Sequence, residues 1–418
     1  MTATLTALSR VTGLRCRECG ATYPADARHV CEQCFGPLGV AYDHTAGLTR
    51  SSIEAGPDSI WRYAALLPSG ADPADRVDLG AGWTPLVRAR NLGRVLGIRE
   101  LWVKDDSANP THSFKDRVVS VAATRARELG FTTIACASTG NLANSVAAHA
   151  ARAGLRAVVL VPSDLEAGKI VTTSVYGQTV VAVDGTYDDV NRLCSEVADD
   201  LPWAFVNVNV RPYYAEGSKT VGYEIAEQLG WKLPGQVVIP VASGSLLTKV
   251  DAAFRDLVSL GLVDAAPYRV YGAQADGCSP VATAFANGWD AVRPVRPSTI
   301  AKSLAIGNPA DGPYALDVAR RTGGAIASVC DDAVVNGIRL LAETEGIFGE
   351  TAGGVTVGTL RRLLRAGRLD PDVPTVIVNS GDGLKTLDAV APVVGPTVTI
   401  PPSLAAFRAA GLANLETS

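Results

Sequence analysis

The sequence predicts an α/β protein: two domains of parallel sheet flanked by helices, preceded by a small metal-bound ribbon. Three observations predict it. From residue 132 onward, short β-branched apolar runs alternate with segments of helical spacing, and such βαβ repetition makes parallel sheets covered on both faces. The first fifty of 418 residues hold four of the eight cysteines, set in two pairs. Turns rich in glycine, serine and threonine recur where strands give way to helices. A chain this long forms two or three domains around a large core. The domains read as a zinc ribbon over 1–45, a large domain over 46–104 and 206–418, and a small mobile domain over 105–205.

The cysteine pairs come first. Cys16-Arg17-Glu18-Cys19 and Cys31-Glu32-Gln33-Cys34 are C-x-x-C knuckles with eleven residues between them. Each knuckle can present two thiolates to one ion, and four thiolates suit tetrahedral Zn2+. Gly20 and Gly36 follow the knuckles and permit tight turns that point backbone N–H groups at sulfur. A module with so little apolar content needs its metal to fold. Disulfides are the competing reading, and a reducing compartment disfavours them. The expected compartment is the cytoplasm: the N-terminus lacks the pattern of a signal peptide, and no apolar run approaches the ~20 residues that span a bilayer. The net charge is −4, and within the ribbon Arg15, Arg17 and Arg28 are offset by Glu18, Asp26 and Glu32. Aromatic and basic residues do not interleave, so neither nucleic acid nor membrane is an expected partner. The ribbon reads as structural, or as an interface in oligomerisation.

A mixed connection over 45–90 ends at Gly82-Trp83-Thr84-Pro85-Leu86. The stretch from Asp105 to Arg117 (DDSANPTHSFKDR) then follows an apolar run, Leu101-Trp102-Val103, and precedes Val118 to Leu129, which has helical spacing. Lys115 is therefore expected at a helix start, with Asn109-Pro110 as a turn and Thr111 or Ser113 as the cap. The positive end of the helix dipole favours the neutral amine there. A neutral, partly desolvated lysine suits Schiff-base chemistry with an aldehyde. From this stretch alone, a solvated surface lysine is an equal reading.

Thr132 to Ala137, Ala157 to Pro162 and Thr179 to Val183 read as strands. Asn144 to Ala153, Ala167 to Tyr176 and Tyr187 to Ala198 read as helices. The first strand opens through Ala137-Ser138-Thr139-Gly140-Asn141, which offers N–H groups and hydroxyls to an anion, although an ordinary capped helix start would look the same. Asn207 to Thr220 (NVNVRPYYAEGSKT) follows. Gln236 to Val241 is a buried strand that breaks into Ala242-Ser243-Gly244-Ser245-Leu246-Leu247-Thr248. Small residues there let an anion approach the backbone, and the turn is neither a Walker loop nor a dinucleotide fingerprint. Tyr268 to Ala275 is a further strand, and Ala333 to Glu345 is a helix that leads into Gly346-Ile347-Phe348-Gly349-Glu350. Thr375 to Val378 is a strand that delivers Asn379-Ser380-Gly381-Asp382-Gly383-Leu384-Lys385. Cys136, Cys194, Cys278 and Cys330 are widely spaced and read as core residues.

Asn109 to Arg117 resembles the lysine motif of pyridoxal-phosphate (PLP) enzymes of the tryptophan synthase β-subunit fold, most closely that of threonine synthases. Thr84-Pro85-Leu86, Ser138 to Asn141, Glu216-Gly217 with Lys219-Thr220, and Ser380 to Lys385 are similar to family segments in the same order, over nearly the whole chain. The resemblance implies the two-domain PLP fold type II, with PLP bound by the larger domain, and a homodimer. It implies that Lys115 carries the cofactor and is catalytic, with Phe114 beside it. Asn141 would bond the ring hydroxyl oxygen, Ser380 the pyridine nitrogen, and Ser243, Gly244, Ser245, Leu246 and Leu247 the phosphate. Ser138, Thr139 and Asn141 would hold the substrate carboxylate. Several relatives have a phosphate-binding arginine where Tyr214 stands, so Arg211 and His112 become the candidates here, with Lys219 also among the substrate contacts. The implied reaction converts O-phospho-L-homoserine and water into L-threonine and phosphate. The alternatives are another β- or γ-replacement or elimination enzyme, similar to cysteate synthase or a threonine/serine dehydratase, and a ribbon interaction protein that has lost catalysis.

Overall fold

Two sheets carry the structure, parallel except for one edge strand, and their central strands are too apolar to face water on either side. The computed structural model describes residues 10–43, 47–70, 72–138, 140–165 and 167–411. An antiparallel ribbon comes first: β1 (Val11–Cys16), β2 (Thr22–Tyr23) and β3 (Leu38–Tyr42), in the order β2-β1-β3. Its apolar residues Leu14 and Leu38 close no core of their own. They join the cluster that contains Val118, Tyr213 and Tyr214, so the ribbon is packed onto the body of the chain.

β4 (Leu86–Arg88) and β5 (Leu101–Asp105) pair antiparallel and begin the larger sheet. The chain then leaves it to build a second, all-parallel sheet from β6 (Thr133–Ala137), β7 (Arg156–Pro162), β8 (Thr179–Val183) and β9 (Ala204–Phe205), in the order β8-β7-β6-β9. It returns with β10 (Gln236–Pro240), β11 (Arg269–Ala275), β12 (Ala325–Val329) and β13 (Thr375–Asn379), which complete the order β12-β11-β10-β13-β5-β4. β6, β10 and β13 are buried at every residue, as strands covered by helices on both faces must be. The alternation expected from the sequence is thus found, with small shifts. The helix expected from Asn144 starts at Asn141, and the one expected to run to Ala198 reaches Asp200. Cys136, Cys194 and Cys278 are buried as expected, whereas Cys330 is exposed, because it sits at the N-cap of the helix Asp331–Glu345 rather than inside a strand.

The helix Lys115–Glu128 is buried continuously from Asp116 to Ala126. One ion network fixes its first turn. Arg117, fully buried, takes Asp106 with Nε at 2.7 Å and Nη2 at 2.8 Å, and also donates to Glu224, Thr84 and Thr220. Lys104 reaches the same Glu224 at 2.6 Å and the Thr84 carbonyl at 2.6 Å. Two cations and two carboxylates thus compensate one another out of water, which a buried charge requires. Burial pushes the Glu224 carboxyl up, but Arg117 and Lys104 outweigh it and hold it at about 2. That contribution is present above pH 4.5, the ordinary value, and is lost as pH falls through about 2.

Gly217 lets a neighbouring segment pass: a Cβ there would lie 2.5 Å from the Arg117 carbonyl oxygen. Replacing Arg117 with Met should leave Asp106 without a cation and Glu224 with Lys104 alone, and lower the unfolding free energy by about 3–5 kcal/mol. Urea unfolding followed by circular dichroism reads this; a change under about 1 kcal/mol would mean the network contributes no more than a surface pair.

Candidate active site

Four parallel strands release the chain from their carboxyl ends toward one space, the usual place for a ligand in such sheets. β5 leads to Lys115, β6 to Ser138 and Asn141, β10 to Ser243 through Leu246, and β13 to Ser380. Phe114, Lys115, Ser138, Asn141, Ser243, Gly244, Ser245, Leu246 and Ser380 all line one cavity of about 790 Å³, part of it open to solvent. Leu247 does not: it is fully buried in the core beneath. Thr139 lies outside the described residues.

Lys115 is the first residue of its helix, as the spacing predicts. The cap differs from expectation. Phe114 occupies the N-cap without a side-chain acceptor, Thr111 bonds Asp116 instead at 2.7 Å, and the Ser113 hydroxyl is buried without a partner. The Lys115 amine donates to the Tyr214 hydroxyl at 3.0 Å and lies 4.7 Å from the centre of the Phe114 ring. Burial pushes its pKa down to about 8, against the pull of Glu350. Desolvation, rather than the helix dipole, is the main cause.

Asn141 is held from both ends. Its amide donates to both oxygens of Glu350, at 3.0 and 2.9 Å, and its carbonyl accepts from Lys385 at 3.2 Å. Burial pushes Lys385 down to about 8 as well. Gly381 makes room for this arrangement, since a Cβ there would lie 2.6 Å from a Glu350 oxygen. Sequence reasoning gave no role to Glu350, Lys385 or Tyr214. The glutamate and the lysine stood within segments already singled out, and a buried polar group in a strand-end segment was the available signal. Ser138 accepts from the N–H groups of Gly140 at 2.9 Å and Ala143 at 2.8 Å, so its oxygen caps a helix while its proton is left to donate.

The Ser243–Gly244 turn is shaped for close approach. Gly244 has φ +96°, and a Cβ there would meet the Asp311 carbonyl oxygen at 2.7 Å. The helix Ser245–Ser259 starts here without a side-chain cap, which leaves its first N–H groups pointing at the cavity. Ser303, also on the cavity wall, has a buried hydroxyl without a partner.

Three expected substrate contacts lie elsewhere. Arg211 is tied to Asp311 at 2.6 Å. Lys219 pairs with Glu216 at 2.8 Å and Asp256 at 2.9 Å. His112 is exposed, with φ +60°. The ribbon cysteines do converge: the sulfur atoms of Cys16, Cys19, Cys31 and Cys34 all lie within 4.8 Å of one another.

An amine with a pKa of about 8 rather than 10.5 is neutral over a lower pH range. Reductive labelling of Lys115 with formaldehyde, quantified by peptide mapping, should therefore rise with pH and reach half its plateau near 8. A half-plateau at the ordinary lysine value would contradict the burial argument.

Residues 77–381 match the family model described as pyridoxal-phosphate dependent enzyme. The chain is 38% identical to a threonine synthase of Methanocaldococcus jannaschii, over 90% of this chain and 93% of that one. It is 36% identical to a threonine synthase of Methanosarcina acetivorans, over 95% of this chain and 98% of that one. Among solved structures it resembles diaminopropionate ammonia lyase of Escherichia coli, with a TM-score of 0.65, 19% identity, and coverage of 82% and 91%. The processed form of threonine deaminase isoform 2 of Solanum lycopersicum matches with a TM-score of 0.59 at 20% identity, covering 74% and 88%; at these identities the structures show a common fold alone. The chain belongs to the pyridoxal-phosphate dependent enzymes and, within them, to the threonine synthases.

Proposed function

We propose that the chain converts O-phospho-L-homoserine and water into L-threonine and phosphate, with PLP joined to Lys115. The observation that carries this reading is the identity to threonine synthases over nearly the full length of both chains. The cavity suits PLP. It holds one buried amine for an aldehyde, an uncapped helix start behind Gly244 for a phosphate, and a buried Ser303 hydroxyl without a partner. Ser243, Gly244, Ser245 and Leu246 would grip the phosphate, Phe114 and Asn141 would flank the ring, and the neutral Ser380 hydroxyl would meet the ring nitrogen. Bound there, PLP supplies a sink for the electrons of a broken Cα–H bond.

The chain's own groups do the rest. The Lys115 amine, close to neutrality in pKa, takes the α proton of the substrate and later returns it. Burial pushes the Tyr214 phenol up, so it stays protonated and holds the Lys115 nitrogen in place. Glu350 and Lys385 fix which way Asn141 points. Ser138 and the helix start behind it receive the substrate carboxylate, a helix N-terminus being suited to an anion. The overall change breaks the Cγ–O bond and one Cβ–H bond, places the hydroxyl of water on Cβ and a proton on Cγ, and releases phosphate.

The ribbon is proposed to hold one structural Zn2+. Its sulfur pairs stand 3.5 Å apart, too far for S–S bonds, and all four converge. Free thiolates suit a reducing cytoplasm, and among the described residues no helix is long and apolar enough to cross a membrane. A homodimer completes the proposal; exposed apolar residues such as Leu404 and Phe407 near the C-terminus are surface that a second copy would cover.

Phosphohomoserine, phosphoserine and threonine assayed side by side should give phosphate and L-threonine from the first alone. Lys115→Ala should lower that turnover at least about 10³-fold. Turnover of phosphoserine or threonine in preference would reject the substrate and keep the cofactor. Elemental analysis of the purified chain should find one zinc per chain, lost in Cys31→Ser; disulfide-bonded cysteines without metal would reject the zinc site.

A further inference from the structure

Among the contacts between the ribbon and the body is a buried carboxylate that belongs to the segment against which the phosphate turn is built. Asp311 is 4% exposed and sits at the N-cap of the helix Gly312–Arg321. Aspartate ordinarily caps from there, yet no N–H group of that helix receives its side chain. Two arginines take its oxygens instead: Arg17 donates to Oδ1 at 2.7 Å and Arg211 to Oδ2 at 2.6 Å. Arg17 lies within the first cysteine knuckle, stacked 3.5 Å from the centre of the Tyr314 ring. Its neighbour Glu18 accepts from the Tyr314 hydroxyl.

The main chain of Asp311 closes on the phosphate turn. Its N–H donates to the Ser243 carbonyl at 2.8 Å, and its carbonyl oxygen is what a Cβ at Gly244 would strike, at 2.7 Å. Within the turn itself, the Ser245 N–H reaches the Ser243 hydroxyl at only 3.4 Å, a weak bond. The shape of the turn is therefore set mainly from outside. Charge points the same way. A bare carboxylate beside this turn would repel a phosphate, whereas two guanidinium groups neutralise Asp311 and leave one positive charge over. A second strap runs alongside: Tyr42 of β3 donates to Glu216 at 2.8 Å, and Glu216 pairs with Lys249 on the helix that begins at the turn.

We propose that Arg17 is a positioning residue for cofactor binding: by pinning Asp311, the first cysteine knuckle keeps the Ser243–Gly244 turn in the form that grips the PLP phosphate. The ribbon thereby acts on cofactor affinity, beyond any part in stability. The inference rests on the assignment of that turn to the phosphate.

The test titrates the full-length chain, stripped of cofactor, with PLP and separately with pyridoxal, which lacks the phosphate. The readout is the visible band of the lysine-bound aldehyde. Arg17→Ala should raise the PLP Kd about tenfold, the loss of one charge-assisted hydrogen bond. The band should keep its wavelength, and pyridoxal affinity should not change. Arg17→Gln keeps a stem against Tyr314 and should shift the PLP Kd in the same direction by less; it carries the test if Arg17→Ala does not fold. Equal PLP affinity in the wild type and the folded variants overturns the proposal, as does an equal loss toward PLP and pyridoxal, which would mark a general loosening. A wild-type chain that forms no band with PLP would overturn the cofactor assignment itself, and this inference with it.

Discussion

The site depends on the ion cage around Arg117. Two residues beyond Lys115, its guanidinium is locked between Asp106 and Glu224, with Lys104 shared into the same cage. Such a cage tolerates little error. A helix rotated or slipped by part of a turn would leave one or more charges in the interior without a partner, at several kcal/mol each. The cage therefore selects one register for the start of the helix. Because side chains two apart on a helix point in different directions, a fixed Arg117 directs Lys115 away from the cage and toward Tyr214. Precision at the amine is thus established by groups that never touch a ligand.

A related economy governs two of the acidic residues that precede helices. Glu350 and Asp311 occupy N-cap positions, and neither caps. Glu350 reaches across to Asn141 at the start of the helix that follows β6, and Asp311 reaches to two arginines. The Lys115 and Ser245 helices likewise start without side-chain caps. The first N–H groups of the Lys115 and Ser245 helices are thereby left for anions.

This explains what was legible in the sequence. The sheets were, because β6, β7, β10 and β13 are short apolar runs punctuated by small residues, and that pattern is local. So were the turns at Ser138, Ser243 and Ser380, since each directly follows such a run. The partners were not. Asn141 and Glu350 meet across 209 positions of sequence, and Arg211 meets Asp311 across 100. No local pattern distinguishes an arginine aimed at a substrate from one aimed at a buried carboxylate, so the sequence does not show that Asp311 holds Arg211 and that Glu216 and Asp256 hold Lys219. Thr111 is lost as a cap because Asp116, five residues on, claims it, and the Ser113 hydroxyl is buried without a partner.

The strand order has a consequence for how the chain comes to be folded. β5 lies between β4, which is made just before it, and β13, where Leu101 meets Thr375. During synthesis one edge of β5 stays bare until β13 has emerged, while β6 to β9, contiguous in sequence, can assemble among themselves first. A bare apolar edge held open for that long is a surface for sticking to other nascent chains. Closing the sheet between Leu101 and Thr375 is therefore the step at which the growing chain is most open to such sticking.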